Sequence, residues 1–355
     1  MRRCWNKSPD ICPGCSNLHR LHTKLIIWSG INENSAQEES SEVIVSGNYE
    51  YYFLTLTAPS FGKVHRVDKS SPIPTPCTCD KKKHVSTDTC GSTPIDISHY
   101  RYKEQVLWNF YSNDLWTRTQ QRLRRRYKNK IETAYVREPQ KRGTVHYHVI
   151  VKVPKEFDQA QIMKELEQLR TVTLTIDGYV YKWGTQHKVE PVKTDSENIG
   201  KTVAYISKLV GYTTKAIGLV ETIDSPEKQE FTRRLRRAAH KIVCEKGEKC
   251  EGKNCSSKTH ANIGFHGQQF GYTTGWSFFG YTYSSLREDM RIRAEMIALA
   301  EGRDLNEPNY RMEAEANNHA RRSRAEMVET IGKENLGLLD VDFLIGIQAD
   351  LDSWG

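Results

Sequence analysis

Alternation of apolar and polar side chains predicts the strands of this chain. The segment Tyr51–Thr57, YYFLTLT, alternates with period two and is rich in aromatic and β-branched residues, which predicts a strand. Thr133–Glu138 and Val145–Val153 alternate in the same way across the linker QKRG and predict a hairpin. Two later strands are predicted at Val172–Tyr181 and Gln186–Val192, with Gly178 and Gly184 as the residues that mark breaks in this part of the chain.

Segments with apolar residues at helical spacing lie between these strands. Between Tyr100 and Tyr127 they recur at roughly this spacing, with no Pro or Gly to interrupt them. Glu156–Leu169 and Glu197–Leu209 also predict helices. The resulting order, β-α-ββ-α-ββ-α, predicts an α+β fold in which helices back a small antiparallel sheet.

Changes in composition divide the chain into four parts. Residues 1–48 form an N-terminal segment with cysteines, and residues 49–220 contain the predicted sheet together with a polar, Cys-containing insertion at 58–98. Residues 228–302 are predicted to be mostly helical around a Gly/aromatic stretch. Residues 303–355 form a charged tail that we expect to be partly mobile.

Basic residues are clustered although the whole chain of 355 residues carries a net charge of only +8. The run from Arg118 to Lys130 holds seven basic residues and no acidic one, and a second basic run spans Arg233 to Lys241. Clustered cations favour a polyanion such as DNA, because neutralised phosphates release counterions. A solvated helix face is the alternative. The candidate DNA contacts are Arg122, Arg124, Arg125 and Lys128.

No targeting signal is visible in the sequence. The longest apolar runs are far shorter than the ~18 residues that a membrane helix needs, and the N-terminus MRRCWNKSPDICPGC lacks the apolar core of a signal peptide. We therefore expect a cytoplasmic protein without a membrane partner, whose nine cysteines are thiols rather than disulfides.

Two histidines predict a divalent metal site. In a strand, His146 and His148 point to the same face, and two adjacent imidazoles suit a divalent ion. If the hairpin loop consists of three residues ending at Gly143, Glu138 lies opposite His146 and completes a mixed nitrogen and oxygen set suited to Mn²⁺ or Mg²⁺. A loop one residue longer would place Glu138 on the other face. An accidental histidine pair is the alternative.

A tyrosine is the candidate nucleophile. On the predicted helix, Tyr205 lies three residues before Lys208, whose ammonium would favour the phenolate. Tyr212 follows seven residues after Tyr205 and could share its face if the helix continues through Gly211. A core tyrosine is the alternative. The fragment Gly200-Lys201-Thr202 lacks the earlier Gly of a phosphate loop, which excludes that kind of ATPase site.

The cysteines predict structural zinc. Cys12-Pro-Gly-Cys15 has the knuckle spacing of a tetrahedral site, with Cys4 as a third ligand and His19, His22 or a cysteine from 77–90 as the fourth. Unrelated reduced thiols are the alternative. A second site would use Cys77, Cys79 and Cys90, and a third would use Cys244, Cys250, Cys255 and His260.

Six segments together resemble the HUH-class rolling-circle replication initiators, and in particular the RepSA-like Rep proteins of actinobacterial plasmids and integrative elements. They occur in the family's order over roughly residues 1–300. The segments are CPGCSNLHR at 12–20, FLTLTAPSFG at 53–62, GTVHYHVIV at 143–151, WGTQHKVEPV at 183–192, VAYISKLVGY at 203–212 and GFHGQQFGYTTGWSFFGYTYSSLR at 264–287.

This resemblance implies a nicking enzyme with an HUH endonuclease-type sheet. His146 and His148 would bind the metal, Tyr205 would nick a single-stranded origin site, and Lys208 would assist it. The resulting 3′-hydroxyl would prime the host polymerase, which works with a helicase. The chain departs from some relatives at position 201, where Lys stands instead of a glutamate, so Tyr212 is a candidate for the second transfer.

Three other functions remain open on the residues. A conjugative relaxase shares the active site but usually places the tyrosine before the histidines. A zinc-containing transcription factor would account for the cysteines and basic runs but would not use His146, His148 or Tyr205. A hydrolase of small phosphoesters would use the histidines without needing basic helices.

Overall fold

The computed structural model describes residues 12–31, 48–68, 70–192, 225–242, 257–277 and 282–300, together with 244, 246, 250 and 255. It is a mixed α/β structure whose centre is a five-stranded sheet, with helices on both faces. None of the described helices combines the length and the apolar character that a membrane crossing requires. The helices are α1 (Pro13–Ile31), α2 (Tyr102–Arg126), α3 (Gln159–Gln168), α4 (Pro226–Ala239), α5 (Lys258–Ala261) and α6 (Tyr283–Ala300).

The central sheet is antiparallel throughout, in the order β8-β1-β5-β4-β9. This confirms the predicted antiparallel sheet backed by helices. Two small hairpins, β2–β3 and β6–β7, stand apart from it. The strands are β1 (Tyr49–Leu56), β2 (Thr75–Pro76), β3 (Lys83–His84), β4 (Glu132–Pro139), β5 (Val145–Pro154), β6 (Thr173–Ile176), β7 (Tyr179–Lys182), β8 (Lys188–Val192) and β9 (Phe270–Tyr272).

Helix α2 covers one face of the sheet because its buried side chains follow a helical period. Its largest core residues, Trp108 and Trp116, pack in one cluster with Tyr147 and Val149 of β5. Three arginines in its last turn complement the negative end of the helix dipole. The buried positions are Gln105, Val106, Trp108, Asn109, Ser112, Leu115, Trp116, Thr119 and Leu123.

Helix α1 packs on the opposite face, against the residues of β5 that alternate with those facing α2. Ile26 and Ile27 are fully buried and belong to the same cluster as Ile150 of β5 and Trp276. We did not predict this helix, because its N-terminal half is polar and basic. The N-terminal segment thus supplies part of the core of the sheet.

The chain from 258 onwards also joins the sheet. Strand β9 pairs with β4, with Ala134 opposite Tyr272. Arg137 of β4 is fully buried and donates to the carbonyl oxygen of His266 at 2.7 Å, while its guanidinium lies 4.2 Å from the ring of Phe265. The predicted C-terminal part and the predicted sheet domain therefore share one sheet.

The segment Val172–Tyr181 is a hairpin rather than one strand. Asp177 and Gly178 both have positive φ, 50° and 78°, which is the type I′ geometry of a two-residue turn. This turn reverses the chain and gives β6 and β7. The predicted helix at 197–209 lies outside the described residues.

Substitution of Gly264 should test how tightly the segment before β9 packs on α2. Gly264 has φ +85°, and a Cβ there would lie 2.2 Å from the carbonyl oxygen of Val106. Gly264→Ala should therefore lower the free energy of unfolding by roughly 2–5 kcal/mol, the sum of left-handed strain and overpacking. Urea or thermal unfolding would measure this loss.

Gly178→Ala is the matched control. Gly178 also has a positive φ, 78°, but a Cβ there meets nothing within 4 Å. Gly178→Ala should therefore lower the free energy of unfolding only by the backbone strain, roughly 1–2 kcal/mol. Equal destabilisation by the two variants would contradict the close approach of Gly264 to α2.

Candidate functional site

The hairpin between β4 and β5 sets the positions of the candidate metal ligands. Its loop holds three residues, 141–143, and closes through hydrogen bonds from the amide of Gln140 to the Thr144 carbonyl oxygen (2.7 Å) and from the amide of Gly143 to the Gln140 carbonyl oxygen (2.8 Å). Gly143 adopts φ +78°. With this loop Glu138 pairs directly opposite His146, so the predicted register is the one observed.

Two amide side chains of α2 hold this loop. Asn109 donates from Nδ2 to the carbonyl oxygens of Gly143 (2.7 Å) and Ile263 (2.9 Å), and it is fully buried. Gln105 donates from Nε2 to the carbonyl oxygen of Arg142 at 2.8 Å. The loop is therefore fixed by the helix beneath it and by the segment that leads to β9.

His148 is the most constrained of the three candidate ligands. Its Nε2 lies 2.8 Å from Oε2 of Glu138, and its Nδ1 lies 3.3 Å from Oγ1 of Thr55. The ring also stacks on Phe53, with the centroids 5.8 Å apart. Both β1 residues sit on the histidine face because β1 pairs with β5, with Thr55 opposite His148.

Phe53 and Thr55 were missed from the sequence as site residues. Their strand was predicted and lies at the centre of the sheet, next to β5. The period-two pattern gives the two faces of each strand but does not say which residues of two separate strands are opposite each other. The FLTLT segment was therefore recognisable as a strand. Its register against β5, which places Phe53 and Thr55 beside His148, could not be read from the sequence.

His146 lies beside this pair, with its ring centroid 6.2 Å from that of His148. Burial, together with the neighbouring His148 and Arg142, lowers the pKa of His146 to about 3. The imidazole is therefore neutral near pH 7, which leaves a nitrogen lone pair for a ligand. The donor atoms of His146, His148 and Glu138 do not all lie within 4.8 Å of one another.

These residues fit a divalent ion in their donor chemistry. Two ligand atoms at right angles on an ion, each about 2.1 Å from it, are about 3 Å apart. The 2.8 Å between His148 and Glu138 agrees with this spacing. Two neutral imidazoles with a carboxylate form a mixed set that accepts Mn²⁺ or Mg²⁺. Their role as ligands stays a prediction.

The candidate nucleophile and its companions lie outside the described residues. Tyr205, Lys208 and Tyr212 all fall between β8 and α4, in the part of the chain that the structure does not describe. Their predicted roles therefore stay predictions.

Two of the three cysteines in the insertion come together with histidines. Donor atoms of His65, Cys77, Cys79 and His84 all lie within 4.8 Å of one another. Cys90 is outside this group of four, although its Sγ is 3.6 Å from Nδ1 of His84. Sequence reasoning missed both histidines: His84 is only five residues after Cys79, a spacing that could have indicated it, whereas His65 is twelve residues before Cys77.

The four residues predicted as a third zinc site are also close in space. Donor atoms of Cys244, Cys250, Cys255 and His260 lie within 4.8 Å of one another. The Nδ1 of His260 is 2.7 Å from the carbonyl oxygen of Ala239, which leaves Nε2 facing Cys250 at 3.2 Å. Such a hydrogen bond fixes the tautomer that a metal ligand needs. Zinc at this cluster stays a prediction.

The N-terminal zinc prediction is only partly covered by the described residues. Cys12 directly precedes α1 and Cys15 lies in its first turn, while Cys4 is outside the described part. Among the residues that are described, neither Cys12 nor Cys15 belongs to a group of three or more close metal-ligating side chains.

The predicted DNA contacts lie at the C-terminal end of α2. Arg122, Arg125 and Lys128 are exposed, whereas Arg124 is half-buried with its guanidinium 3.5 Å from Glu132. At 1.5 Å per residue, Arg122 is about 20 Å along the helix from Asn109, which holds the hairpin loop. The basic end of α2 is therefore remote from the histidines.

The second basic run lies closer to the hairpin. On α4, Arg233, Arg236 and Arg237 are exposed. Leu235 of the same helix faces inwards, with Cδ1 3.7 Å from where a Cβ of Gly143 would lie. The hairpin that carries the candidate ligands thus also contacts a helix with exposed basic side chains.

Comparison with known proteins identifies one family. A family model described as "Replication initiator protein, pSAM2" (RepSA) matches residues 1–332. A replication initiator protein of Streptomyces ambofaciens is 26% identical over 281 residues, which cover 65% of this chain and 58% of that protein. The chain thus spans a little over half the length of this curated relative. No solved structure matches it.

Replacement of Glu138 should weaken binding of a divalent ion. Glu138→Gln keeps the shape of the side chain but removes the charge next to His148, so we expect Mn²⁺ affinity to fall about tenfold or more. Isothermal titration calorimetry would measure it. Glu190→Gln is the control, because Glu190 lies on the same face of the sheet, opposite Phe53, and pairs with Lys188 instead. Equal affinities in the two variants would remove Glu138 from the ligand set.

Proposed function

Because this chain belongs to the RepSA family of replication initiator proteins, we propose that it starts rolling-circle replication by nicking one origin strand through a tyrosine. The observation that carries this proposal is the placement of His146, His148 and Glu138 on one face of adjacent central strands. We further propose that the five-stranded sheet is of the HUH endonuclease type, with β5 as the histidine strand.

The metal would be Mn²⁺ or Mg²⁺, and its charge would serve to polarise the scissile phosphate and to offset the charge that develops during strand transfer. His148, Glu138 and His146 would hold it. Thr55 and Phe53 orient the His148 ring from the neighbouring strand, and Asn109 keeps the hairpin loop in place. These contacts restrict His148 and the hairpin loop before DNA arrives.

Tyr205 is the proposed nucleophile. Its phenolic oxygen would attack the scissile phosphorus, and the bond to the 3′ oxygen would break. This gives a 5′-phosphotyrosine link and a free 3′-hydroxyl, from which the host polymerase extends behind a helicase. The energy of the phosphodiester is kept in the new link, so rejoining would need no ATP. Lys208 would stabilise the phenolate, and Tyr212 is the candidate for the second transfer.

Two basic surfaces would hold DNA on either side of this chemistry. The exposed arginines of α4 are on a helix that contacts the hairpin and suit the strand to be nicked, while the end of α2 would contact DNA about 20 Å along that helix from Asn109. DNA touching both surfaces therefore extends well beyond the nicked phosphate. The binding of DNA by both surfaces rests on the proposed function.

Replacement of the tyrosine should separate binding from cleavage. Tyr205→Phe removes one oxygen, so we expect Mn²⁺ affinity and oligonucleotide binding to be unchanged and the covalent adduct to disappear. Denaturing gels of a single-stranded origin oligonucleotide, followed by mass spectrometry of the adduct peptide, would measure this. Tyr212→Phe is the matched control and should still form the first adduct. DNA attached to Tyr212 alone in the wild type would show that the assignment is wrong.

The salt dependence of DNA binding should identify the phosphate contacts of α2. The triple variant Arg122→Ala, Arg125→Ala, Lys128→Ala should lower the slope of log K against log salt by roughly 2–3 units, because each lost contact to duplex DNA is worth about 0.9. Fluorescence anisotropy at several salt concentrations gives the slope. Arg124→Ala alone should change it less, since Arg124 is engaged by Glu132. An unchanged slope in the triple variant would mean that this end of α2 is a solvated face.

A further inference from the structure

The insertion at 58–98 has little regular structure to hold it together. Its described residues form the two-residue strands β2 and β3 and one isolated bridge between Val64 and Pro94. Among them the one buried titratable side chain is His84, which is 3% exposed. A buried imidazole in such a small polar segment requires partners, since an unsatisfied polar group is costly.

The partners of His84 are ligand-type atoms. Its Nε2 lies 3.1 Å from Nδ1 of His65 and 3.2 Å from Sγ of Cys79. The Sγ of Cys77 is 3.9 Å from the same Nδ1 of His65. Two nitrogens and two sulfurs thus converge on one point, and all four lie within 4.8 Å of one another.

These separations agree with the edges of a tetrahedron around zinc. With Zn–N near 2.05 Å and Zn–S near 2.3 Å, tetrahedral angles put two nitrogens about 3.3 Å apart and a nitrogen and a sulfur about 3.6 Å apart. The observed distances of 3.1, 3.2 and 3.9 Å scatter around these values. A zinc ion one bond length from each donor atom would account for these separations together.

The local backbone presents the two sulfurs side by side. The amide of Cys77 donates to the carbonyl oxygen of Lys82 at 2.7 Å, and the amide of Lys82 donates to that of Cys79 at 2.9 Å. Lys82 adopts a positive φ of 60°, which closes this turn between β2 and β3. His84 follows on β3 and His65 approaches from the preceding segment, so three neighbouring residues and one distant one complete the group.

A second layer of contacts supports His84 as a ligand. Its Nδ1 lies 2.7 Å from Oδ2 of Asp88, and this carboxylate also accepts hydrogen bonds from Nζ of Lys81 at 2.8 Å and from the amide of Val85 at 3.1 Å. A carboxylate on the far nitrogen fixes the tautomer and orients the ring, as it does for most histidines that bind metals. The Nε2 of His84 is then free of hydrogen and faces the other three donors.

We propose that His65, Cys77, Cys79 and His84 bind a structural zinc ion, which folds the insertion around a single Cys₂His₂ centre. This ion would fix the insertion where it meets α2 and α4. At that junction Ile97 accepts hydrogen bonds through its carbonyl oxygen from the Tyr102 hydroxyl at 2.8 Å and from Nη1 of Arg234 at 3.1 Å. The site is independent of the nicking proposal, because none of its ligands belongs to the central sheet.

The zinc content of the full chain tests the proposal. Protein produced in zinc-supplemented medium and purified without chelator would be analysed by inductively coupled plasma mass spectrometry. The double variant Cys77→Ser, Cys79→Ser should contain about one zinc per chain less than the wild type. Cys90→Ser is the matched control and should keep the wild-type content, because Cys90 lies on the Asp88 side of His84. The zinc content of Cys255→Ser measures separately any zinc held by the second Cys/His group, Cys244, Cys250, Cys255 and His260.

A milder variant covers the case in which the double variant does not fold. Asp88→Asn keeps all four ligands and should release one zinc to a chromophoric chelator about tenfold or more faster than the wild type, because the support of His84 is lost. Wild-type zinc content in the double variant, loss of zinc in Cys90→Ser, or unchanged release in Asp88→Asn would each overturn the proposed ligand set.

Discussion

The register of the β4–β5 hairpin is the constraint on which the candidate site depends. Side chains alternate between faces along a strand, so a slip of one residue would carry Glu138 away from the histidines and turn the odd-numbered valines of β5 out of the core. The three-residue loop and the left-handed Gly143 set this register locally. Chemistry and core packing are therefore specified by the same few residues.

Asn109 extends this constraint beyond the hairpin. One side-chain amide donates to the carbonyl oxygens of both Gly143 and Ile263, so the β4–β5 hairpin loop and the segment leading to β9 are held by a single buried group on α2. Arg137 adds a second link. It lies on β4, the strand that carries Glu138, and its guanidinium donates to the carbonyl oxygen of His266. The candidate site is thus supported from sequence regions far apart in the chain.

What the sequence could predict depended on whether the information was local. Strands β1, β4, β5 and β8, helix α2 and the pairing of Glu138 with His146 follow from period, turn residues and loop length, which are local features of the sequence. Helix α1, strand β9 and the placement of Thr55 beside His148 depend on partners that are distant in sequence. The same limit applies to the metal-ligating groups. Cys77 and Cys79 were recognisable as a pair, but the approach of His65 is a tertiary contact.

Strand β9 also has a consequence for how the chain is made. Strand β4 can pair with β9, with Ala134 opposite Tyr272, only after the chain between them has been synthesised. At 5–20 residues per second the ribosome needs on the order of ten seconds for this. During that time the outer edge of β4 has unpaired amides and carbonyls, which can recruit strands from other nascent chains. A chaperone that shields this edge should therefore raise the yield of soluble protein. Any shortened form that ends before residue 270 would keep the exposed edge permanently.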